Sequence, residues 1–198
     1  MYIPIFPLNG AVLFPKTNLP LNIFEDHYIA MVDYALSKDR IIGMIQSKNT
    51  GGLFNIGCLG KIISFNETND GRYLINLEGM SRFLLKKELK KKFSFRIVDA
   101  TILENKTKKN YKLKGELKNK ILNSYKRYIK EKNISINLSE IINIKTEQLA
   151  KFIAMVSPFD DIDKQMLLEI TKTEVFCEKL LSILEIEIAN LNQERIFN

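Results

Sequence analysis

The chain is short of the residues from which most catalytic centres are built. Histidine occurs once, at His27, cysteine twice, at Cys58 and Cys177, and tryptophan not at all in 198 residues. One histidine excludes a metal site resting on two, and any Ser-His-Asp or Cys-His pair would depend on His27 alone. The two cysteines are far apart and form no Cys-x-x-Cys spacing, so they supply neither a disulfide framework nor a zinc knuckle and read as reduced, packed thiols. No apolar run reaches the roughly 18–20 residues that span a bilayer, and Pro4 interrupts the opening residues where a signal peptide would carry an apolar core. Arginine is scarce as well, 6 against 24 lysines. Arginine is the residue that reads phosphates and base edges bidentately, and its scarcity argues against a dedicated nucleic-acid reader. Lysine in such excess, beside abundant Ile and Asn, reads first as a solvated face.

Hydrophobic residues make up 45% of the chain and charged ones 27%, enough for a core and too apolar for a disordered chain. The expectation is a soluble, globular, cytoplasmic protein of one large domain or two small ones closely joined. The net charge of +7 is unevenly spread. Residues 61–132 hold 20 basic and 8 acidic side chains, whereas residues 158–198 hold 4 and 9. A basic middle could serve as a footprint for nucleic acid or polyphosphate, although charge alone argues solubility and non-specific binding.

The first hundred residues read as short strands around one helix. Tyr2–Phe6 alternates, with Pro4 and Pro7 predicting an edge strand or one that ends early. Leu19–Phe24 is a second strand. Between Glu25 and Ser37 the period changes, with Tyr28, Met31, Val32 and Ala35 at helical spacing behind an acidic start. Arg40–Gln46 returns to strand chemistry. Lys61–Phe65 and Tyr73–Leu77 flank Asn69-Asp70-Gly71, which predicts a hairpin. Arg82–Leu85 and the alternating Phe93, Phe95 and Ile97 continue the strand character to Leu103. Beyond a Lys-rich connector at 104–112 the pattern becomes helical: Leu113–Lys130, Ser139–Val156, a short helix opened by Asp160, Asp161 and Asp163, and a last helix opened by the capping box Thr171-x-x-Glu174. The fold class is therefore α+β, with a β-rich domain over 1–104 and a helical one over 105–198.

Recognisable chemistry is sparse. Gly52 and Gly57 have the glycine spacing of a phosphate-binding loop, but Cys58-Leu59 stands where Lys and Ser or Thr would be needed. The three aspartates at 160–163 lack the glycine and late glutamate of a calcium loop. A hydrolase would have to use His27, Cys58 or a carboxylate pair assembled by the fold, and no local motif supports one.

Several segments together resemble a known family. Ile3-Pro4-Ile5-Phe6-Pro7-Leu8, Val12-Leu13-Phe14-Pro15 and Leu19-Pro20-Leu21-Asn22-Ile23-Phe24-Glu25 with Tyr28 and Met31 closely resemble the N-terminal, substrate-binding domain of Lon proteases. So do Ile56–Ile62, Asp70–Ile75 and Glu78-Gly79-Met80-Ser81-Arg82-Phe83, and, in the helical half, Asp163–Glu169 and Leu180–Glu185. The resemblance implies a PUA-like twisted β pseudobarrel followed by a helical bundle, and a role in recognising protein substrates. Lon's ATPase and Ser-Lys protease modules have no counterpart here, which implies a stand-alone, non-catalytic form needing no cofactor or metal. The expected partners are unfolded or degron-bearing polypeptides or a partner protein, in protein quality control, bound through an apolar cleft near the domain junction. Candidate contacts are Phe14, Phe24, Tyr28, Phe54 and Phe159, each aromatic beside turn residues or at a helix start. The alternative is an RNA- or polyanion-binding protein that uses Lys86, Lys87, Lys90, Lys91 and Lys92 ahead of Phe93 and Phe95.

Overall fold

Branched and aromatic residues at every second position make the strands of the first half. In the computed structural model, which describes residues 1–90, 92–103, 115–138 and 141–197, they form β1 (Tyr2–Leu8), β2 (Asn18–Ile23), β3 (Ile41–Gln46), β4 (Ile56–Glu67), β5 (Tyr73–Glu88) and β6 (Arg96–Leu103). The helices are α1 (Asp26–Leu36), α2 (Gly115–Glu131), α3 (Thr146–Val156), α4 (Asp161–Glu169) and α5 (Thr173–Phe197). The sheet order is β2-β5-β4-β3-β1-β6, and β5 also pairs with β6. Five strands thus close on themselves as a pseudobarrel, and β2 adds to the first half of β5, with Asn18 opposite Glu78 and Ile23 opposite Tyr73. One strand can serve three neighbours because β5 is 16 residues long and its ladders shift register near Cys58–Gly60, Ile62–Ser64 and Leu85–Lys87, which bend it.

β1 is not an edge strand, the first of the two readings its prolines allowed, and it ends at Leu8. It runs parallel to β3 over Ile5–Leu8 and antiparallel to β6 over Tyr2–Ile5. Each half is paired on one side only, so a residue with no N–H is tolerated in both halves. The core beneath holds Ile3, Ile5, Ile45, Leu59, Phe83, Val98 and Ala100. α1 turns Met31, Val32 and Ala35 inward.

The chain divides into two compact units, Met1–Asn105 with Asp160–Leu168, and Lys106–Phe159 with Glu169–Asn198. α4 therefore belongs with the strands, although its sequence lies among the helices. Buried polar side chains hold it there. Lys164 Nζ donates to the Gly10 carbonyl at 2.7 Å, Gln165 Nε2 donates to the Ile56 carbonyl at 3.0 Å, and Gln46 Nε2 donates to the Asp161 carbonyl at 3.0 Å and to Gln165 Oε1 at 3.1 Å. Arg82 Nε donates to the Leu168 carbonyl. Burial lowers the pKa of Lys164, against the pull of Asp161. Buried polar groups are costly unless bonded, so these contacts specify one seating for the helix. Asp160 caps it, its carboxylate accepting from the Asp163 N–H at 2.7 Å.

In the second unit α5 packs against α2 and α3. Ser124 Oγ donates to Glu185 at 2.5 Å, Arg127 meets the same carboxylate at 3.3 Å, and Lys132 lies 3.5 Å from Glu187. Two boundaries differ from expectation. The described part of the segment before Thr146 forms turns, with Ile141 and Ile142 both donating to the Leu138 carbonyl at 3.2 Å. Ile141, Ile142 and Ile144 are β-branched and resist the helix that Thr146 then begins. Thr171 does not cap α5, because the first turn closes on Lys172, whose carbonyl accepts from the Phe176 N–H at 3.0 Å. The connector at 104–112, Leu113, and the predicted helix start at Ser139 lie outside the described residues.

Candidate functional site

Phe93 and Phe95 are not strand residues. β5 ends at Glu88 and β6 begins at Arg96, and the two rings lie in the segment between, stacked with centroids 5.1 Å apart. Tyr34 of α1 meets both rings, at 5.2 and 5.3 Å. Phe93 and Phe95, but not Tyr34, line with the start of α1 a pocket of about 400 Å³ in the β-rich unit. Its walls include Ile5, Pro7, Tyr28, Phe93 and Phe95, and its polar groups are His27, Ser94, Glu88 and Arg96. Four of its nine lining residues are polar or charged, so the site is mixed, with an aromatic wall and an ion pair on its surface.

Arg96 grips Glu88 in a fork, Nε at 2.7 Å from one carboxylate oxygen and an Nη at 2.6 Å from the other. The hydrogen bond to Glu88 raises the arginine's pKa further. Burial, aided by the charge of Glu25 and opposed by Arg96, pushes Tyr28 above the usual phenol value, so it is neutral at physiological pH. Its ring packs 4.2 Å from Phe6. His27 stands at the mouth, half exposed, with Glu25 3.8 Å away.

The residues singled out from the sequence scatter. Of the five aromatic candidates only Tyr28 lines the pocket. Phe14, 0% exposed, is a core residue whose loop is pinned between strands. Phe159, 5% exposed, is buried and lies 5.6 Å from Tyr128 in the helical unit. Neither has surface to offer a ligand, so neither serves as the polypeptide contact expected of it. Phe54 is half-buried with Lys48 Nζ 5.6 Å from its ring, and Phe24, 63% exposed, stands where β2 passes into α1. Lys86, Lys87, Lys90 and Lys92 are all exposed, and Lys91 lies outside the described residues. Two of the three pocket aromatics, Phe93 and Phe95, were legible only as neighbours of the lysines. Glu88, Arg96 and Pro7 carried no signal, since their meeting depends on how β1, β5 and β6 pair.

Among the described residues no three His, Cys, Asp or Glu side chains gather as a metal site, and no helix is long and apolar enough to cross a membrane. Cys58 and Cys177 are both buried and in no disulfide, and burial, with Glu147 nearby, pushes the Cys177 thiol up to about 12. The thiolate is the reactive form. Both cysteines should therefore react with a chromogenic thiol reagent at pH 8 about a hundredfold or more slower in the native protein than in denaturant, because labelling waits on local opening. Rapid native labelling of either would refute that burial.

Residues 2–185 match the family of the ATP-dependent protease La (LON) substrate-binding domain. The chain belongs to this Lon substrate-binding domain family. It is 29% identical over 205 residues to the Lon protease of Buchnera aphidicola from Acyrthosiphon pisum, a match that covers 98% of this chain and 26% of that protein. With the Lon protease of Dictyoglomus thermophilum it shares 26% over 214 residues, again covering 26% of the relative. The chain thus spans about a quarter of these relatives, and the part it matches is the family's substrate-binding domain, not the whole protease. Two solved structures share the fold: a Lon N-terminal domain protein from Xanthomonas campestris, with TM-score 0.68 at 18% identity over 92% of this chain and 98% of that one, and the N-terminal domain of a Mycobacterium avium complex Lon protease, with TM-score 0.66 at 15% identity over 93% and 98%. The α+β architecture expected from the sequence is the family's.

Proposed function

We propose that this chain is a non-catalytic polypeptide-binding module, an adaptor in cytoplasmic protein quality control, that holds unfolded or degron-bearing segments at the pocket between α1 and the β5–β6 connection. One observation carries the reading: a pocket of about 400 Å³ walled in part by Tyr28, Phe93 and Phe95, in a domain whose family is described as substrate-binding. Such pockets take apolar side chains from an extended chain. The reading needs no cofactor, metal or membrane. Its non-catalytic part is supported by the burial of both thiols.

The test is fluorescence anisotropy with a labelled, permanently unfolded protein at about 0.15 M salt, where the Debye length is about 8 Å. Saturable binding that single-stranded RNA does not displace is expected. Phe93→Ala and Tyr28→Ala should each weaken it about tenfold, the effect of one good anchor. Unchanged affinity in both variants would dismiss the pocket.

A second reading rests on the exposure of Lys86, Lys87, Lys90 and Lys92 beside Phe93, which is 39% exposed. In that case the ligand is RNA or polyphosphate, and affinity falls by about three decades between 50 and 200 mM salt if several lysines meet phosphates. A flat salt response removes it.

A further inference from the structure

Two steps in the chain carry the chemistry of backbone self-modification, Asn9-Gly10 and Asp70-Gly71, each occurring once. In both, the amide nitrogen of a residue without Cβ can approach the preceding side-chain carbonyl carbon closely, because no side chain of its own stands in the way. The structure treats the two differently. At the hairpin turn the Asp70 carboxylate accepts from Thr68 Oγ1 and pairs with Arg72 Nε at 2.9 Å, while the Gly71 N–H donates to the Thr68 carbonyl at 2.9 Å. The hydrogen bond from Thr68, with the charge of Arg72, holds the carboxyl below its usual range and so ionised, the form that a nitrogen attacks least readily. Asn9, in the loop after β1, is exposed, and among the described residues neither its side chain nor the Gly10 N–H has a hydrogen-bond partner. The Gly10 carbonyl, in contrast, is committed. It accepts from Lys164 Nζ at 2.7 Å, the one hydrogen bond of that ammonium among the described residues, and Lys164 is 5% exposed. Gly10 itself, at φ 73, lies against α4, where a Cβ would stand 3.6 Å from Asp161 Oδ1.

We propose that Asn9 is a site of spontaneous deamidation and that its isoaspartyl product loosens α4. The Gly10 nitrogen attacks Asn9 Cγ, a new N–Cγ bond forms, the Cγ–Nδ2 bond breaks, and ammonia leaves carrying the proton lost by the Gly10 amide. Water then opens the cyclic imide. Addition at Cγ gives an ordinary aspartyl residue at position 9, and addition at the α-carbonyl leaves Gly10 joined through Cβ and Cγ, an isoaspartyl link. Water is the only co-reactant, and nothing is oxidised or reduced. The isoaspartyl link inserts one more atom into the main chain ahead of Gly10, a displacement of about 1.5 Å, one bond length. A hydrogen bond of 2.7 Å has no such slack. Lys164 then keeps its buried charge but loses its acceptor, and the polar seat of α4 is left to Gln46, Gln165 and Arg82.

The experiment incubates the full chain at mildly alkaline pH and follows its tryptic peptides 1–16 and 62–72 by mass spectrometry and by enzymatic methylation of isoaspartate, beside the same two peptides free in solution. Peptide 1–16 of the folded chain should gain acid and isoaspartate at the rate of the free peptide, because nothing has to open first. Isoaspartate in peptide 62–72 should form at least about tenfold more slowly in the folded chain than in the free peptide. Protection of peptide 1–16 by about tenfold or more overturns the site. Equal rates for folded and free peptide 62–72 overturn the contrast on which the assignment rests. Asn9→Gln, at an exposed position and with a side chain that closes a less favourable ring, should abolish the reaction in peptide 1–16. Acid formed there in spite of it overturns the assignment to Asn9. The isoaspartyl fraction, separated by ion exchange, should show amide hydrogen exchange in α4 about tenfold faster than the unmodified chain. Unchanged exchange overturns the link through Lys164. The same acceleration in freshly prepared Asn9→Asp, which adds the charge without the extra atom, overturns the displaced carbonyl as its cause.

Discussion

Gly79→Ala is expected to destabilise the β-rich unit by about 3 kcal/mol, toward the upper end of overpacking costs. The methyl group would run into the carbonyl oxygen of Phe14 and come within 3.3 Å of Leu13 Cγ. A flexible neighbour would move aside, but this one is backbone held from several directions. The Gly79 N–H donates to the Thr17 carbonyl at 2.8 Å, the Gly79 carbonyl accepts from Lys16 at 2.7 Å, and Thr17 Oγ1 donates to the Phe14 carbonyl at 2.7 Å. Val12, Leu13 and Phe14 are themselves buried, so the loop cannot retreat without opening the core. The glycine is required by close approach, since its φ does not lie in the left-handed region. Urea unfolding followed by far-UV circular dichroism measures the loss, and a change below about 0.5 kcal/mol, the range of ordinary surface substitutions, would mean that the loop yields.

Phe83→Ala should cost about 3–5 kcal/mol, as expected for emptying a large, fully buried site. Phe83 sits at the centre of the barrel core with Ile3, Ile5 and Leu59. Two glycines make room for its ring. A methyl on Gly57 would lie 2.5 Å from Phe83 Cζ, and also against the Met44 carbonyl. A methyl on Gly43 would meet only side chains, Ile3 Cδ1 at 2.9 Å, Ile5 Cγ2 at 3.1 Å and Phe83 Cε1 at 3.1 Å. The two positions therefore respond differently once the ring is gone. Gly43→Ala should cost less in the Phe83→Ala background than in the wild type, by about 1 kcal/mol of coupling, because the cavity receives the methyl. Gly57→Ala should stay costly in both backgrounds. Additive behaviour at Gly43 would contradict direct packing of ring against glycine.

The candidate site was legible only in pieces. Tyr28 stands out as the first apolar residue of a helical face, and Phe93 and Phe95 as aromatics behind a lysine run. Their alternation predicts a strand, but alternation alone carries no information about where a ladder stops. The pairing between β5 and β6 ends at Glu88 and Arg96, and the rings swing toward α1. Phe14 and Phe159 mislead for the opposite reason. A proline beside an aromatic marks a turn, but a turn can close over a core as readily as it faces solvent.

Local periodicity and punctuation determined the element types. Period-2 branched residues made the strands, Tyr28, Met31, Val32 and Ala35 made the first helix, and Gly71, at φ 80, made the hairpin turn. These signals survive because they arise between residues a few positions apart. Only the tertiary structure decided that α4 sits with the strands and that Arg96 pairs with Glu88 beside a pocket. Lys164, Gln165, Gln46 and Arg82 look like surface residues in any local window. Their hydrogen bonds join positions 86 to 154 residues apart, and the cost of burying polar groups unbonded, which singles out that arrangement, exists only once the chain has folded.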